Sequence, residues 1–174
     1  YVMELQVRDL HGLFSELGFT EFVLAGYSMG GRTALAYAIA HPECLQGLIL
    51  ESASPGLKTA AEQVERQQRD SELALTILAN GIQSFVDKWE NIPLFDSQKK
   101  LPTEIKDEIK KERLSQQPQG LANSLIGMGT GSQPSYWNDL KDIHVPVLLI
   151  TGSMDLKFEA IAGEMKTAFL QVQH

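Results

Sequence analysis

Along the first seventeen positions, apolar residues recur three and four apart, at Leu10, Leu13, Phe14 and Leu17, and Gly18 follows them. That spacing predicts an amphipathic helix closed by a glycine. Because the pattern already holds near Tyr1, the helix is expected to be entered midway. Residues 21–26 form a short apolar run bounded by glycines, which suits a buried strand. A tight turn at 27–30 follows, and residues 31–40 are Ala-rich helix formers stopped by His41-Pro42, since the residue before proline disfavours helical geometry. Further buried strands are predicted at 47–51 and at 145–151, the latter with a proline near its start. Strands alternating with helices imply a parallel sheet with right-handed crossovers.

The stretch between the second and third strands is far longer than one crossover needs. Helical patterns at 58–79, 82–89, 103–115 and 120–126, separated by turn signals at Asn80-Gly81, Ile92-Pro93 and Gln117-Pro118, predict an inserted helical cap. The Lys/Glu-rich segment 99–113 reads as a solvated helix face. The expected organisation is a core in two parts, 1–53 and 141–174, with a cap over 54–140. The last residues stop where another element should begin, so the chain is expected to be cut at both ends.

Composition narrows the class. The net charge is -7, whereas a nucleic-acid partner requires a basic patch or stripe. The single cysteine, Cys44, cannot form an internal disulfide, which suits a reduced cytoplasmic setting. Neither a membrane-spanning apolar run nor the apolar core of a signal peptide is present. A soluble, cytoplasmic protein is expected, with no nucleic-acid or membrane partner and with a monomer as the expected state.

Candidate chemistry centres on Gly26-Tyr27-Ser28-Met29-Gly30, a G-x-S-x-G match between a predicted strand and a predicted helix. In that context it is the nucleophile elbow of an α/β-hydrolase fold. The serine sits at the carboxyl end of a strand, with flanking glycines because side chains there should collide with their neighbours. The Met29 backbone NH, at the helix N-terminus, can then donate to a developing oxyanion. The bland alternative is a Gly-rich helix entry with Ser28 as its N-cap. Such a serine needs a base and the base an acid, in the order Ser, acid, His. Asp155, in the turn after the third strand, stands where the acid belongs; alternatively it caps the helix predicted over 157–168. His11, His41 and His144 read as surface or capping residues, and His174 is not assigned as the base.

Beyond the elbow, residues 26–32, 51–57, Glu65-Arg66, 89–95 and 120–137 resemble the 2-succinyl-6-hydroxy-2,4-cyclohexadiene-1-carboxylate synthases, most closely those of the Bacillus type. The resemblance implies a lyase of menaquinone biosynthesis that eliminates pyruvate from an enolpyruvyl tricarboxylate, with no metal or organic cofactor. It matches Ser28 to the catalytic serine, Asp155 to the triad acid, and Tyr27, Arg32, Arg66 and Trp89 to substrate-binding positions. Arginine suits a tricarboxylate because its planar fork pairs carboxylates bidentately. Arg32 and Arg66 could instead be surface or ion-pair residues, and Trp89 cap core. The family's oxyanion loop is expected upstream of Tyr1 and its triad histidine downstream of His174. Taken alone, residues 1–174 are therefore expected to be inactive. The competing readings are a serine hydrolase acting on esters or carbon-carbon bonds with the same triad, and a non-catalytic domain that keeps the elbow as a relic.

Overall fold

The computed structural model describes residues 1–174. Its centre is a four-stranded parallel sheet in the order β1-β2-β3-β4, formed by Phe22–Tyr27, Leu45–Glu51, Val147–Ile150 and Val172–Gln173. Helix α1 (Met3–Glu16) precedes β1, and α2 (Met29–Ala40) links β1 to β2. Helix α6 (Leu156–Ala168) links β3 to β4. Parallel neighbours cannot be joined by tight hairpins, so each pair requires a crossover of this kind. Helix α2 is the main core element: Leu35 and Tyr37 are fully buried and pack in one cluster with Leu48 and Leu50 of β2, Leu149 of β3 and Met165 of α6.

Between β2 and β3 the chain forms α3 (Ala60–Trp89), a 3-10 segment (Pro93–Lys100), α4 (Thr103–Leu114) and α5 (Pro118–Met128). Thr59 and Glu62 close a reciprocal capping box at the start of α3: the Thr59 hydroxyl accepts from the Glu62 NH at 3.2 Å, and the Glu62 carboxylate accepts from the Thr59 NH at 2.9 Å. Asn80-Gly81, read as a turn between two helices, is where α3 breaks into two helical segments, with Gly81 non-helical at φ 75°, ψ 173°. Glycine alone adopts that backbone without penalty, so the break falls on it.

Two expectations need correction. Val2 is extended and α1 begins at Met3, so the helix is not entered midway. The element expected after residue 174 already begins at Val172, whose backbone pairs with Val147. The strands carry the expected continuous apolar runs, which signal cover on both faces; within residues 1–174 one face is left open, with Val23, Leu148 and Ile150 exposed and residues of β3 alternately buried and exposed. No helix is long and apolar enough to cross a membrane.

Candidate active site

Ser28 sits between β1 and α2 at φ 51°, ψ -112°, a region costly for any residue with a side chain. Two backbone bonds hold it there: its NH donates to the Glu51 carbonyl at 2.9 Å, and its own carbonyl accepts from the Arg32 NH at 3.1 Å. Its side chain makes no capping hydrogen bond, which sets aside the N-cap alternative and leaves the hydroxyl exposed at the end of the strand.

Close packing explains the glycines, but not the pair the motif suggests. A Cβ on Gly26 would lie 2.6 Å from the Gly31 nitrogen, and one on Gly31 would lie 2.5 Å from the Ala53 Cβ and 2.8 Å from the Gly26 oxygen. A Cβ on Gly30 would meet nothing within 4 Å. The expectation that both motif glycines are sterically required is therefore corrected. Gly26 packs against the Gly30 and Gly31 backbone and Gly31 against Ala53, so Gly30 takes part in the β1–α2 contact through its backbone and only its own Cβ direction is open in residues 1–174.

Of the cavities beside the elbow, two hold the candidate site residues. One, of about 310 Å³, lies between α2 and the cap, and Met29, Arg32, Arg66, Trp89 and Arg113 are among its lining residues. The other, of about 720 Å³, is lined by Tyr27, by residues 93–98 of the cap and by the turn from Gly152 to Asp155. The structure thus brings Arg32, Arg66 and Trp89 together beside Met29, and Tyr27 together with Asp155 on the other side. Asp155 does cap α6, its carboxylate accepting from the Phe158 NH at 3.2 Å. One carboxylate oxygen in a cap leaves lone pairs for a further donor, so the cap and the acid role are compatible.

The arginines are anchored rather than loose. Arg32 Nη1 donates to the Met128 carbonyl and to Gln133 Oε1, both at 2.8 Å. Burial lowers the Arg32 pKa, and the neighbouring Arg66 charge lowers it further, while Asp70 opposes both. Arg66 Nε donates to Asp70 Oδ1 at 2.9 Å. Trp89 packs against Phe85 and Phe95, so it belongs to the cap core and the cavity wall at once.

Sequence reasoning missed Arg113, which was grouped with a solvated charge run. It lines the same cavity as Arg32 and Arg66, lies 4.6 Å from the Phe95 ring centroid, and donates through Nη2 to Gln98 Oε1 at 3.0 Å. The available signal was spacing: Ile109 and Arg113 stand one turn apart on the half-buried face of α4. His41, expected as a surface or capping residue, is the C-cap of α2, and both it and His11 are half-buried. Their rings stack with centroids 3.8 Å apart, and His11 Nδ1 lies 3.1 Å from the buried Tyr37 hydroxyl. They join α1 to α2. His174 Nε2 lies 2.9 Å from the Thr151 hydroxyl at the end of β3. No group of three or more His, Cys, Asp or Glu is placed to hold a metal ion.

Comparison with known proteins fits this geometry. Residues 3–163 match the α/β-hydrolase family described as serine aminopeptidase, S33. The chain belongs to that family. It is 51% identical over 165 residues to a Bacillus subtilis (strain 168) protein provisionally named 2-succinyl-6-hydroxy-2,4-cyclohexadiene-1-carboxylate synthase, covering 95% of this chain and 60% of the relative. The structure of MenH from S. aureus superposes with a TM-score of 0.94 at 41% identity, over 99% of this chain and 65% of that one. A malate-bound esterase from Thermogutta terrifontis superposes with a TM-score of 0.82 at 28% identity, over 99% of this chain and 62% of that one. The chain thus spans about three-fifths of the length of these relatives.

Proposed function

We propose that the whole protein is a 2-succinyl-6-hydroxy-2,4-cyclohexadiene-1-carboxylate synthase, a lyase that eliminates pyruvate from 2-succinyl-5-enolpyruvyl-6-hydroxy-3-cyclohexene-1-carboxylate. The observation that carries this is the arginine-lined cavity beside the elbow, where Arg32, Arg66 and Arg113 converge near Met29. A neutral ester has no use for three guanidinium groups, whereas a tricarboxylate does. The similarity to the Bacillus subtilis relative and to MenH supports the same reading.

In this reading a histidine beyond His174 activates Ser28, Asp155 orients that histidine, and Ser28 accepts a proton from the substrate ring. The electron pair of the broken C–H bond at ring C2 forms the C2–C3 double bond, the existing C3–C4 double bond shifts to C4–C5, and the C5–O bond to the enolpyruvyl group breaks. The group leaves as the enolate of pyruvate and takes up a proton. No acyl-enzyme forms. The Met29 NH and the arginines stabilise negative charge as it develops, while Tyr27 and Trp89 shape the walls. No metal or organic cofactor takes part, and the setting is the cytoplasm.

The test is pyruvate release by the whole protein. Ser28→Ala is expected to lower kcat by several powers of ten with little change in KM, because a chemical group is lost while the binding groups remain. Near-normal kcat in that variant removes Ser28 from the mechanism. Hydrolysis of a neutral ester with no pyruvate release favours the hydrolase reading instead, for which the esterase likeness is the specific support.

A further inference from the structure

Behind the two innermost arginines lie two polar side chains that the reaction scheme does not use. Asp70 is 5% exposed and Gln133 is 1% exposed. Each has one atom without a hydrogen-bond partner, Asp70 Oδ2 and Gln133 Nε2. A buried carboxylate with a free oxygen is costly, and so is an unpaired buried amide. Hydrophobic residues of similar size would fill both places more cheaply if packing were their purpose.

Their contacts explain what they do. Asp70 stands one helical turn beyond Arg66 on α3 and takes that arginine's Nε. Gln133 takes Nη1 of Arg32, which it shares with the Met128 carbonyl. The Asp70 position is built with care for space: a Cβ on Gly129, at the end of α5, would collide with its carboxylate, the Asp70 Cγ lying 3.2 Å from that point. With Nε held, Arg66 keeps its terminal Nη1/Nη2 edge free. With Nη1 held, Arg32 keeps its Nε/Nη2 edge free. Each free edge is a two-pronged donor matched to one carboxylate.

We propose that Asp70 and Gln133 are positioning residues that fix Arg66 and Arg32, so that one bidentate edge of each faces the cavity to receive substrate carboxylates. This rests on the lyase reading above. Without Asp70 or Gln133 the guanidinium groups would have to be ordered by the substrate itself, and part of the binding free energy would go to that ordering. The effect belongs in KM more than in kcat.

The experiment compares Asp70→Asn and Gln133→Met with the wild-type whole protein, since both substitutions preserve size. Pyruvate-release kinetics are measured together with thermal melting and the exchange rate of the Arg66 Nε–H, read from its 15N–1H signal. Each variant is expected to raise KM for the tricarboxylate about tenfold, the effect of one weakened hydrogen bond to a charged group, with a smaller change in kcat. Gln133→Glu, which restores an acceptor for Arg32, is expected to bring KM back toward wild type. Asp70→Asn should speed exchange of the Arg66 Nε–H. An unchanged KM in stable variants overturns the proposal. So does a loss of kcat that tracks the melting temperature and is not rescued by Gln133→Glu, because that is the signature of a structural role alone. If the wild-type protein releases no pyruvate, the lyase reading fails by itself. The exchange rate then decides the positioning claim: faster exchange in Asp70→Asn upholds it, and unchanged exchange overturns it.

Discussion

Replacing the elbow glycines one at a time separates steric need from motif membership. In Gly31→Ala the new methyl carbon would lie 2.5 Å from the Ala53 Cβ and 2.8 Å from the Gly26 oxygen. Neither neighbour can swing aside, because one is a methyl on a short side chain and the other is backbone. Relief therefore means moving α2 away from the end of β1, and overpacking of this kind typically costs about 1–3 kcal/mol. In Gly30→Ala nothing lies within 4 Å, and the position is in the first turn of α2, where alanine outranks glycine by up to about 1 kcal/mol. The two variants should thus differ by about 2 kcal/mol or more, with Gly30→Ala neutral or stabilising. For a chain of this size that is a gap of about 4–8 °C in Tm. Thermal melting by circular dichroism, with urea titration as a check, measures it. Equal destabilisation by the two substitutions would refute the steric assignment and show that a side chain at position 30 is not free of neighbours.

Further outcomes are expected. Burial and neighbouring Cys44 and Glu43 push the Tyr37 pKa up to about 12, and burial does the same for Tyr136. Both folded values exceed the unfolded value of about 10, so the unfolded chain loses these protons first and stability falls as pH rises from about 10 to 12. Urea titrations across that window should show the fall, and Tyr37→Phe should reduce its steepness; a flat profile would contradict the assignment. Residues 1–174 expressed alone are expected to release pyruvate several powers of ten more slowly than the whole protein, since losing the triad base alone removes most of the chemistry. Turnover within about tenfold of the whole protein would instead direct attention to His11, His41, His144 and His174 as bases.

The elbow was legible in the sequence because a strained serine between a strand and a helix needs glycine at fixed places, and composition records that need. Even so, the letters of the motif pointed to Gly30 where packing requires Gly31, because the motif describes the backbone and not which neighbour approaches it. Asn80-Gly81 was readable as a break between two helical segments, and Gly81 does leave the helical region there. Arg113 was hidden by its own neighbours: a charge-rich helix shows its solvated face in composition, and its inward face only in spacing. Asp70 and Gln133 left no signal, because their roles depend on arginines four and about a hundred residues away. The stacked pair His11 and His41 was invisible for the same reason, being formed only when α1 docks on α2.

The central claim is that the cavity between α2 and the cap recognises carboxylates for a reaction run from Ser28. Its most direct test is kcat/KM for the enolpyruvyl tricarboxylate and for a small neutral ester, measured side by side in the whole protein and in Arg32→Ala and Arg66→Ala. Removing one partner of a desolvated charge pair costs about 2–5 kcal/mol, so each variant should lose between about thirtyfold and several thousandfold on the tricarboxylate while largely sparing the ester. Equal losses on both substrates would show that the arginines serve the fold and not the substrate, and would contradict the account.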